Sequence, residues 1–351
     1  MTVNPYRLQP EIAFWSRSVA RAFDAHNVVR CDEPLLQLGE KFASAGSCFA
    51  ANVIQPLEKA GFEYVRTEEL SAPLSLLPEN LGYAKFSARY GNIYTARQFR
   101  QLIERAAGQF VPMESFWEGP SGIIDPYRPG LRYPARTKVE FDDLQEAHLA
   151  AVKRAFSEAN VTIFTLGLTE CWESVSDGAV FPTCPGTVAG DFNPDRHRFR
   201  NLTVEDVVSD MERAFLIIRT WNNSARFILT VSPVPLVATA TNEHVLSATI
   251  LSKSILRVAA GILAEGEGVT YFPAYEIVSG PQAPSSFYES DRREVSDQAV
   301  AAVMKAFISN CRVRNKVELD ATGRIRRGSD VPHSLSRDLI MAECDEAVLD
   351  W

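Results

Sequence analysis

Residues 41–50 read KFASAGSCFA, a short apolar run followed by a glycine, a serine and the start of a helical pattern. Apolar residues then recur at helical spacing, which predicts a helix over residues 49–60 with a kink at Pro56. A strand that ends in glycine and leads directly into a helix is typical of parallel α/β sheets. The stretch therefore predicts the first strand and helix of such a sheet.

Four further apolar runs have the length of strands, and helix-like segments separate them. The five predicted strands cover residues 41–45, 62–65, 161–166, 226–231 and 269–272. Further predicted helices cover residues 95–107, 142–159, 204–220, 245–264 and 296–310. Thr241 or Asn242 is the expected N-cap of the helix over 245–264. This alternation predicts an α/β fold with a parallel sheet covered by helices on both faces.

The predicted elements divide the chain into three parts. Residues 1–36 form a lead-in, residues 37–310 the α/β domain and residues 311–351 a C-terminal appendage. The segment between the second and third strands is longer than a simple crossover needs, so we expect an insertion over about 70–140 that shapes the substrate pocket. The proline- and glycine-rich stretch 172–201 is a candidate lid.

Composition limits the classes of protein to consider. The 351 residues are 46% hydrophobic and 23% charged, which is typical of a globular chain. The formal net charge of -8 supplies no basic surface, so neither nucleic acid nor an anionic membrane is an expected partner. The six cysteines show no CxxC spacing, and no segment has the roughly 18 consecutive apolar residues of a membrane span. We expect a cytoplasmic protein with reduced thiols, no metal and no cofactor.

Ser47 follows the first predicted strand, and in parallel α/β sheets ligands bind beyond the carboxyl ends of the strands. Gly46 allows a tight turn there, which would place Ser47 at a helix N-terminus with free backbone N–H groups. Those groups can stabilise an oxyanion, so Ser47 is a candidate nucleophile. A simple N-cap is the alternative. Cys48 is a second candidate nucleophile, with a small buried residue as its alternative reading.

Several motifs together resemble a known family. Residues 46–50 are identical to the motif that names the GSCFA family. Other segments also look like those of its members: YGNIYT (90–95), DPYRP (125–129), FTLGLTECW (164–172), SPVPL (232–236), SKS (252–254) and YFPAYE (271–276). The resemblance covers about residues 4–307. The family in turn resembles the SGNH (GDSL-like) hydrolases. That resemblance implies a three-layer α/β/α fold, which hosts esterases, deacetylases and O-acetyltransferases.

The SGNH resemblance also implies roles for individual residues. Ser47 matches the nucleophile, whose backbone N–H also belongs to the oxyanion hole, and Gly91 with Asn92 resembles the glycine block that contributes a further donor. Residues 167–170, GLTE, lie where these enzymes have Gly-x-Asn-Asp. Thr169 would then have to replace the missing asparagine amide with its hydroxyl, or Asn92 would supply the amide.

The expected histidine of the SGNH pattern is missing. Residues 291–294, DRRE, are the nearest counterpart of the Asp-x-x-His block, and Glu294 stands where the histidine is expected. His244 is the best placed replacement, because it follows the fourth strand in the first turn of a long helix, where a neutral imidazole is favoured. A side chain facing water is the alternative. His197 is expected to be solvated, and the other three histidines to be structural or solvated.

Other charged residues complete the candidate site. Glu276 or Glu170 is expected to orient the base. Arg128, Lys253 and Asp291 are candidates to bind the substrate, each with a salt-bridged or solvated side chain as its alternative. We therefore expect a serine-dependent acyl-ester hydrolase or O-acyltransferase that acts on a small-molecule or glycan ester, with acylated carbohydrate implied by the resemblance alone. The alternative is a non-catalytic SGNH-like binding or assembly protein.

Overall fold

A five-stranded parallel sheet lies at the centre of the computed structural model, which describes residues 4–29, 31, 33–68, 85–131 and 134–312. Its strands are β1 (Lys41–Gly46), β2 (Glu63–Tyr64), β5 (Val161–Leu166), β9 (Arg226–Val231) and β10 (Val269–Tyr271). The order across the sheet is β10-β9-β5-β1-β2, and every neighbouring pair is parallel. All five carboxyl ends therefore share one edge, as predicted. In this strand order the topological switch point lies between β1 and β5.

Helices cover both faces of the sheet. Their bounds are α1 (Trp15–Ser18), α2 (Cys48–Ala51), α3 (Ile54–Lys59), α4 (Ala96–Ala106), α5 (Lys138–Glu158), α6 (Val204–Trp221), α7 (Val245–Leu263), α8 (Ala274–Ser279) and α9 (Asp297–Ser309). Helices α4 to α7 pack in one hydrophobic core, and α2, α3, α8 and α9 pack in the other. The expected three-layer α/β/α fold is confirmed.

The strands divide their side chains between these two cores. On β5, Val161 and Ile163 join the core of α3 and α9, whereas Phe164 and Leu166 join the core of α4 to α7. Successive side chains of a strand point to opposite faces, and here both faces are covered. This double burial explains why the strands read as continuous apolar runs in the sequence rather than as alternating patterns.

The helix predicted over residues 49–60 is two helices. Helical hydrogen bonding stops at Asn52 and Val53, and α3 begins at Ile54. Pro56 is thereby the third residue of a new helix. A proline lacks the N–H that an interior helical position would use, but the first turn has no need of it. The chain therefore breaks before the proline and restarts, instead of kinking at it.

Two small sheets lie outside the central one. A hairpin joins β3 (Trp117–Gly119) to β4 (Gly122–Ile124), within the long connection that also contains α4 and α5. The stretch expected to be an irregular lid contains an antiparallel sheet of β6 (Glu170–Ser174), β7 (Val180–Phe181) and β8 (His197–Asn201), in the order β7-β6-β8. The sequence does not predict these strands, because each is only two to five residues long.

The predicted lead-in is joined to the domain at its end. Leu35 and Leu36 are 1% and 0% exposed, and the Arg312 amide donates to the Leu36 carbonyl at 2.8 Å. Residues 35 and 36 therefore belong to the packed core rather than to a separate segment. The predicted appendage lies outside the described residues from position 313 onwards.

Helix α7 connects the neighbouring strands β9 and β10 of the central sheet. Among the described residues it alone is long and apolar enough, by length and composition, to cross a membrane, with a mean hydropathy of 1.5. The sequence interpretation expected no such segment. One face of α7, which includes Leu256, Ala259 and Ala260, is buried in the core. Ile250 and Val258, on the other face, are 55% and 53% exposed. A long apolar helix that covers a sheet meets the same criteria of length and composition as a membrane span.

Gly46 should be the least replaceable glycine of the central sheet. Its φ is +142°, and a Cβ there would lie 2.6 Å from the Thr165 carbonyl oxygen. Gly46→Ala should therefore lower the free energy of unfolding by about 3 kcal/mol or more, from backbone strain and overpacking together. Gly39→Ala is the matched control, because its φ is +88° with no atom within 4 Å. Equal losses in urea unfolding of the two variants would contradict this account.

Candidate active site

Ser47 lies at the carboxyl end of β1, in the N-cap position of α2. Its side chain makes no capping bond, and its Oγ has no hydrogen-bond partner among the described residues. The residue is 6% exposed, and Oγ itself is shielded from solvent. A buried hydroxyl without a partner loses about 1–3 kcal/mol relative to one that is hydrogen-bonded. The N-cap alternative therefore does not explain this serine.

Residues 91–95 form a strap across the carboxyl ends of β1 and β5. The Ile93 amide donates to the Gly46 carbonyl at 2.8 Å. The Tyr94 carbonyl accepts from the Gly167 amide at 3.2 Å. The strap thus bonds to both strand ends at the switch point of the sheet, where doubly wound proteins bind their ligands.

Gly167 packs against Ser47 on the β5 side. A Cβ on Gly167 would lie 2.8 Å from the Tyr94 carbonyl oxygen and 3.4 Å from the Ser47 Cβ. Lys253, which is 2% exposed, donates from Nζ to the Gly167 carbonyl at 2.6 Å. A buried amine is stable only where its hydrogen bonds are satisfied, so this bond restrains the turn beside Ser47. This contact gives no support to the expected role of Lys253 in binding an anionic group of the substrate.

Asn92 is one of the expected oxyanion donors. It is 4% exposed, belongs to the strap and donates from Nδ2 to the Tyr94 hydroxyl at 3.1 Å. Gly91 precedes it with a φ of +70°, a conformation that favours glycine. Thr169 does not fit the expected role. Its hydroxyl donates to the Asn201 Oδ1 at 2.6 Å, so its proton is already used.

His244 is not bonded to Ser47. The imidazole is exposed and occupies the N-cap of α7, where Nδ1 accepts from the Leu246 amide at 3.1 Å. The predicted N-caps, Thr241 and Asn242, are therefore wrong. Because the ring nitrogen satisfies the first turn of α7, the side chain is held at the surface. The predicted contact between His244 and the nucleophile is absent from the structure.

The other described histidines also have structural partners. Within the described residues the chain has His26, His148, His197 and His244, and His333 lies outside them. His197 was expected to be solvated but is 1% exposed, with Nε2 3.2 Å from a Glu114 carboxylate oxygen. His148 is 1% exposed, with Nδ1 2.7 Å from the Glu68 carboxylate. Burial and the nearby charge of Arg128 lower the pKa of His148 to about 4, so its imidazole is neutral at pH 7.

The two carboxylates expected to orient the base have other partners. Glu170 accepts from the Thr239 hydroxyl at 2.7 Å and so fixes the loop after β9. Glu276 accepts from Arg257 Nε at 2.5 Å and from the Tyr271 hydroxyl at 2.7 Å. Neither bonds to an imidazole among the described residues. Both therefore stabilise the edge of the sheet where they were expected, without forming the predicted relay.

Asp291 and Arg128 likewise serve local structure. The Asp291 carboxylate is exposed and accepts from the Glu294 amide at 3.0 Å, within the turn that precedes α9. Arg128 is 9% exposed and donates from Nε to Asp125 at 2.8 Å. The expected substrate-binding roles of both residues have no support in these contacts.

Two cavities lie beside α4, and Ser47 lines neither of them. The smaller, of about 20 Å³, includes Arg105, Arg128 and His148 in its lining. The larger, of about 310 Å³, is lined by both arginines and carboxylates, including Arg97 and Glu173. Within the described part of the chain, no group of three or more His, Cys, Asp and Glu side chains is placed to hold a metal ion. A substrate carbonyl that reaches Ser47 must displace the residues that cover it.

Sequence reasoning overlooked Arg105, although a signal for it exists. Gln98, Gln101, Leu102 and Arg105 are all buried, and all line the smaller cavity. Their spacing of i, i+3, i+4 and i+7 places them on one face of α4. An arginine on the buried face of a predicted helix indicates a polar cavity or a counter-ion.

A model of the GSCFA family matches residues 41–307, most of the chain. The chain belongs to the GSCFA family. Residues 46–50 of this GSCFA protein, which form the turn at Ser47, lie within the matched region. Comparison with curated protein sequences gave no match.

Two solved structures show a weak likeness to this GSCFA protein. One is a Streptococcus pneumonia protein provisionally described as a platelet activating factor, with 14% identity, a TM-score of 0.27, and coverage of 50% of this chain and 70% of that one. The other is a Corynascus thermopiles (Myceliophthora fergusii) carbohydrate esterase family 2 enzyme with a carbohydrate binding domain. Its identity is 12% and its TM-score 0.29, over 92% of this chain and 69% of that one. Scores this low carry no argument about activity.

The buried His148 should make stability depend on pH. Its folded pKa of about 4 lies below the ordinary value of 6.5, so the unfolded chain binds the extra proton between these values. Stability is therefore complete above pH 6.5 and falls by up to about 3 kcal/mol as the pH drops towards 4. Urea unfolding should show this slope, and His148→Gln should flatten it. His26→Gln, at an exposed site, should leave it intact; an unchanged slope in His148→Gln would refute the assignment.

Proposed function

We propose that this GSCFA protein is a serine-dependent acyl-ester hydrolase or O-acyltransferase with Ser47 as its nucleophile. One observation carries the proposal: the Ser47 hydroxyl is buried without a partner, between the strap and Gly167, at the switch point of the sheet. Four other buried hydroxyls in the described part of the chain also lack a partner, those of Ser87, Thr162, Thr165 and Thr230, but only Ser47 among the five follows the end of a strand at the N-cap of a helix. The cost of leaving it unpartnered is understandable if a substrate supplies the missing interaction.

The chemistry divides into two half-reactions. Ser47 Oγ bonds to the acyl carbon of the ester, the bond from that carbon to the alcohol oxygen breaks, and the alcohol leaves with a proton. The acyl group then passes to water in a hydrolase or to an acceptor hydroxyl in a transferase. Negative charge on the carbonyl oxygen needs hydrogen-bond donors, for which the Ser47 amide and the strap residues Gly91 and Asn92 are the candidates.

The Ser47 proton must leave as the new bond forms, and no described histidine accepts it in this conformation. Lys253, whose Nζ donates to the Gly167 carbonyl in the turn beside Ser47, is the second candidate base that we propose to test. The pH dependence of acylation distinguishes them. With a histidine base the rate should level off above about pH 7, whereas with a lysine base it should keep rising above about pH 8.

Acylated carbohydrate is the substrate class that we propose to test first. The proposal rests on the likeness of the sequence motifs to SGNH hydrolases. Because water and a sugar hydroxyl compete for the same acyl-enzyme, product analysis with and without an added sugar separates the hydrolase from the transferase.

A non-catalytic binding or assembly protein is the second candidate function. The observation that favours it is the composition of the turn before α9, where Glu294 replaces the expected histidine and Asp291 bonds only to the turn itself. A carboxylate is a much weaker base than an imidazole towards a hydroxyl at pH 7. A binding or assembly protein of this kind would keep the shape of the pocket but would catalyse no reaction.

A fluorophosphonate probe, which labels activated serines, should label the parent protein. Ser47→Ala should abolish labelling, and Cys48→Ser should leave it within about twofold. His244→Ala should also label within about twofold, because the imidazole is an exposed cap, while losing about 1 kcal/mol of stability with that cap. Labelling that survives Ser47→Ala but is lost in Cys48→Ser would show that the nucleophile has been misassigned.

A parent protein that resists the probe would favour the binding function. The Glu294→His variant then distinguishes a protein that lacks only the base from one in which Ser47 is not activated at all. Labelling gained in this variant shows a vacant base position in an intact pocket, as the binding function requires. A Glu294→His variant that also resists the probe shows that Ser47 is not an activated nucleophile in either form.

A further inference from the structure

The buried face of α4 carries two glutamines, Gln98 and Gln101, which are 8% and 5% exposed. Gln98 bonds to the strap: its Oε1 accepts from the Tyr94 amide at 2.8 Å, and its Nε2 donates to the Asn92 carbonyl at 2.9 Å. One residue of a parallel strand would bond to the same two backbone groups. A buried amide or carbonyl without a partner costs free energy, so Gln98 stabilises the strap by satisfying both.

A capping box is the simplest alternative role for Gln98. Thr95 is the N-cap of α4 and its hydroxyl accepts from the Gln98 amide at 3.2 Å, so Gln98 is the third residue of the helix. In a capping box, the side chain at that position bonds to the amide of the N-cap residue itself. Gln98 instead bonds to Tyr94 and Asn92, which precede the N-cap. Its side chain therefore restrains the strap and not only the start of the helix.

The strap belongs to the packed core and is not a surface flap. Asn92, Ile93 and Tyr94 are 4%, 1% and 3% exposed, and Ile93 is part of the hydrophobic core of α4 to α7. The Tyr94 carbonyl also accepts from the Leu168 amide at 3.0 Å, just beyond the end of β5. The strap is thus bonded both to the edge of the sheet and to α4. A segment held in this way can keep a fixed position relative to Ser47.

We propose that Gln98 is a positioning residue that holds the strap, and with it Gly91 and Asn92, in a fixed place beside Ser47. The inference rests on the proposed function for its effect on the reaction, because Gly91 and Asn92 are the candidate oxyanion donors. Such donors stabilise a transition state only when they are held at the required distance in advance. Gln98 acts through the strap and takes no part in bond making.

Gln101 provides a matched control, because it makes the same pair of bonds to a different segment. Its Nε2 donates to the Gly178 carbonyl at 2.7 Å, and its Oε1 accepts from the Val180 amide at 2.8 Å. The two glutamines share a helix and a similar burial, and they differ in the segment that each holds. Replacement by methionine removes both bonds and keeps the length of the side chain. Gln98→Met and Gln101→Met should therefore lower the Tm by similar amounts.

The first test measures hydrogen exchange of backbone amides, relative to amides of β5 that report global unfolding. Gln98→Met should speed exchange of the Ile93 and Tyr94 amides by about tenfold or more, since local opening of the strap costs less once two hydrogen bonds are lost. Gln101→Met should leave both amides within about twofold of the parent. Equal exchange of the strap amides in the parent and in Gln98→Met would overturn the proposal.

The second test compares fluorophosphonate labelling of Ser47 at a temperature where both variants are folded. Gln98→Met should lower the maximal labelling rate by about 10- to 100-fold, because the oxyanion donors would be misplaced. The probe concentration that gives half of this rate should stay within about twofold, because these donors act mainly in the transition state. Gln101→Met should label within about twofold of the parent. Equal slowing in both variants would show a general loss of structure and overturn the positioning role.

The two tests distinguish failure of this inference from failure of the proposed function. A parent that resists the probe would overturn the reaction proposed for Ser47, and hydrogen exchange would still decide whether Gln98 holds the strap. A labelled parent with an equally labelled Gln98→Met variant would overturn the positioning role and leave the reaction standing. If Gln98→Met fails to fold, Gln98→Glu replaces it with Gln101→Glu as its control. The ionised carboxylate keeps the acceptor for the Tyr94 amide and lacks the donor to Asn92, so it should slow labelling in Gln98→Glu alone.

Discussion

The close approach of Gly46 to Thr165 determines the geometry of this protein's candidate site. Because Gly46 has no side chain, the end of β1 can pack closely against β5, and the backbone can turn there with a φ of +142°. The turn places Ser47 over the end of the sheet and leaves the Gly46 carbonyl to accept the amide of the strap. A bulkier residue would push apart the two strands between which the switch point lies. The strap depends on this contact through its hydrogen bond to the Gly46 carbonyl.

Lys253, Ser47 and Arg105 are buried polar residues that differ in how their burial is compensated. Lys253 bonds to the Gly167 carbonyl, whereas Ser47 Oγ and Arg105 Nη2 have no partner among the described residues. Other buried hydroxyls, those of Ser87, Thr162, Thr165 and Thr230, also lack a partner within that part of the chain. Ser47 differs from them because it follows the end of β1 at the N-cap of α2, beside the switch point where doubly wound proteins bind their ligands.

The sequence predicts the fold better than the site, for a physical reason. The strands β5 and β9 occur at the predicted residues, because burial on both faces produces continuous apolar runs that local sequence displays. Ser47 could be placed because a glycine and a serine directly follow such a run. The partners of His244 could not be predicted, because whether an imidazole caps a helix or meets a serine depends on packing between distant segments. The same limit applies to Thr169, whose hydroxyl bonds to Asn201 in a strand that the sequence does not reveal.

The central claim is that the Ser47 hydroxyl forms a covalent acyl intermediate. Mass spectrometry after rapid acid quench of a reaction with an aryl acetate tests it most directly, since peptide fragmentation distinguishes the neighbouring side chains. The account predicts an acetyl group on Ser47 that appears with the first turnover and disappears as the ester is exhausted. Release of the aryl alcohol at a catalysed rate, with the acetyl group found on Cys48 or Lys253 and never on Ser47, would contradict it.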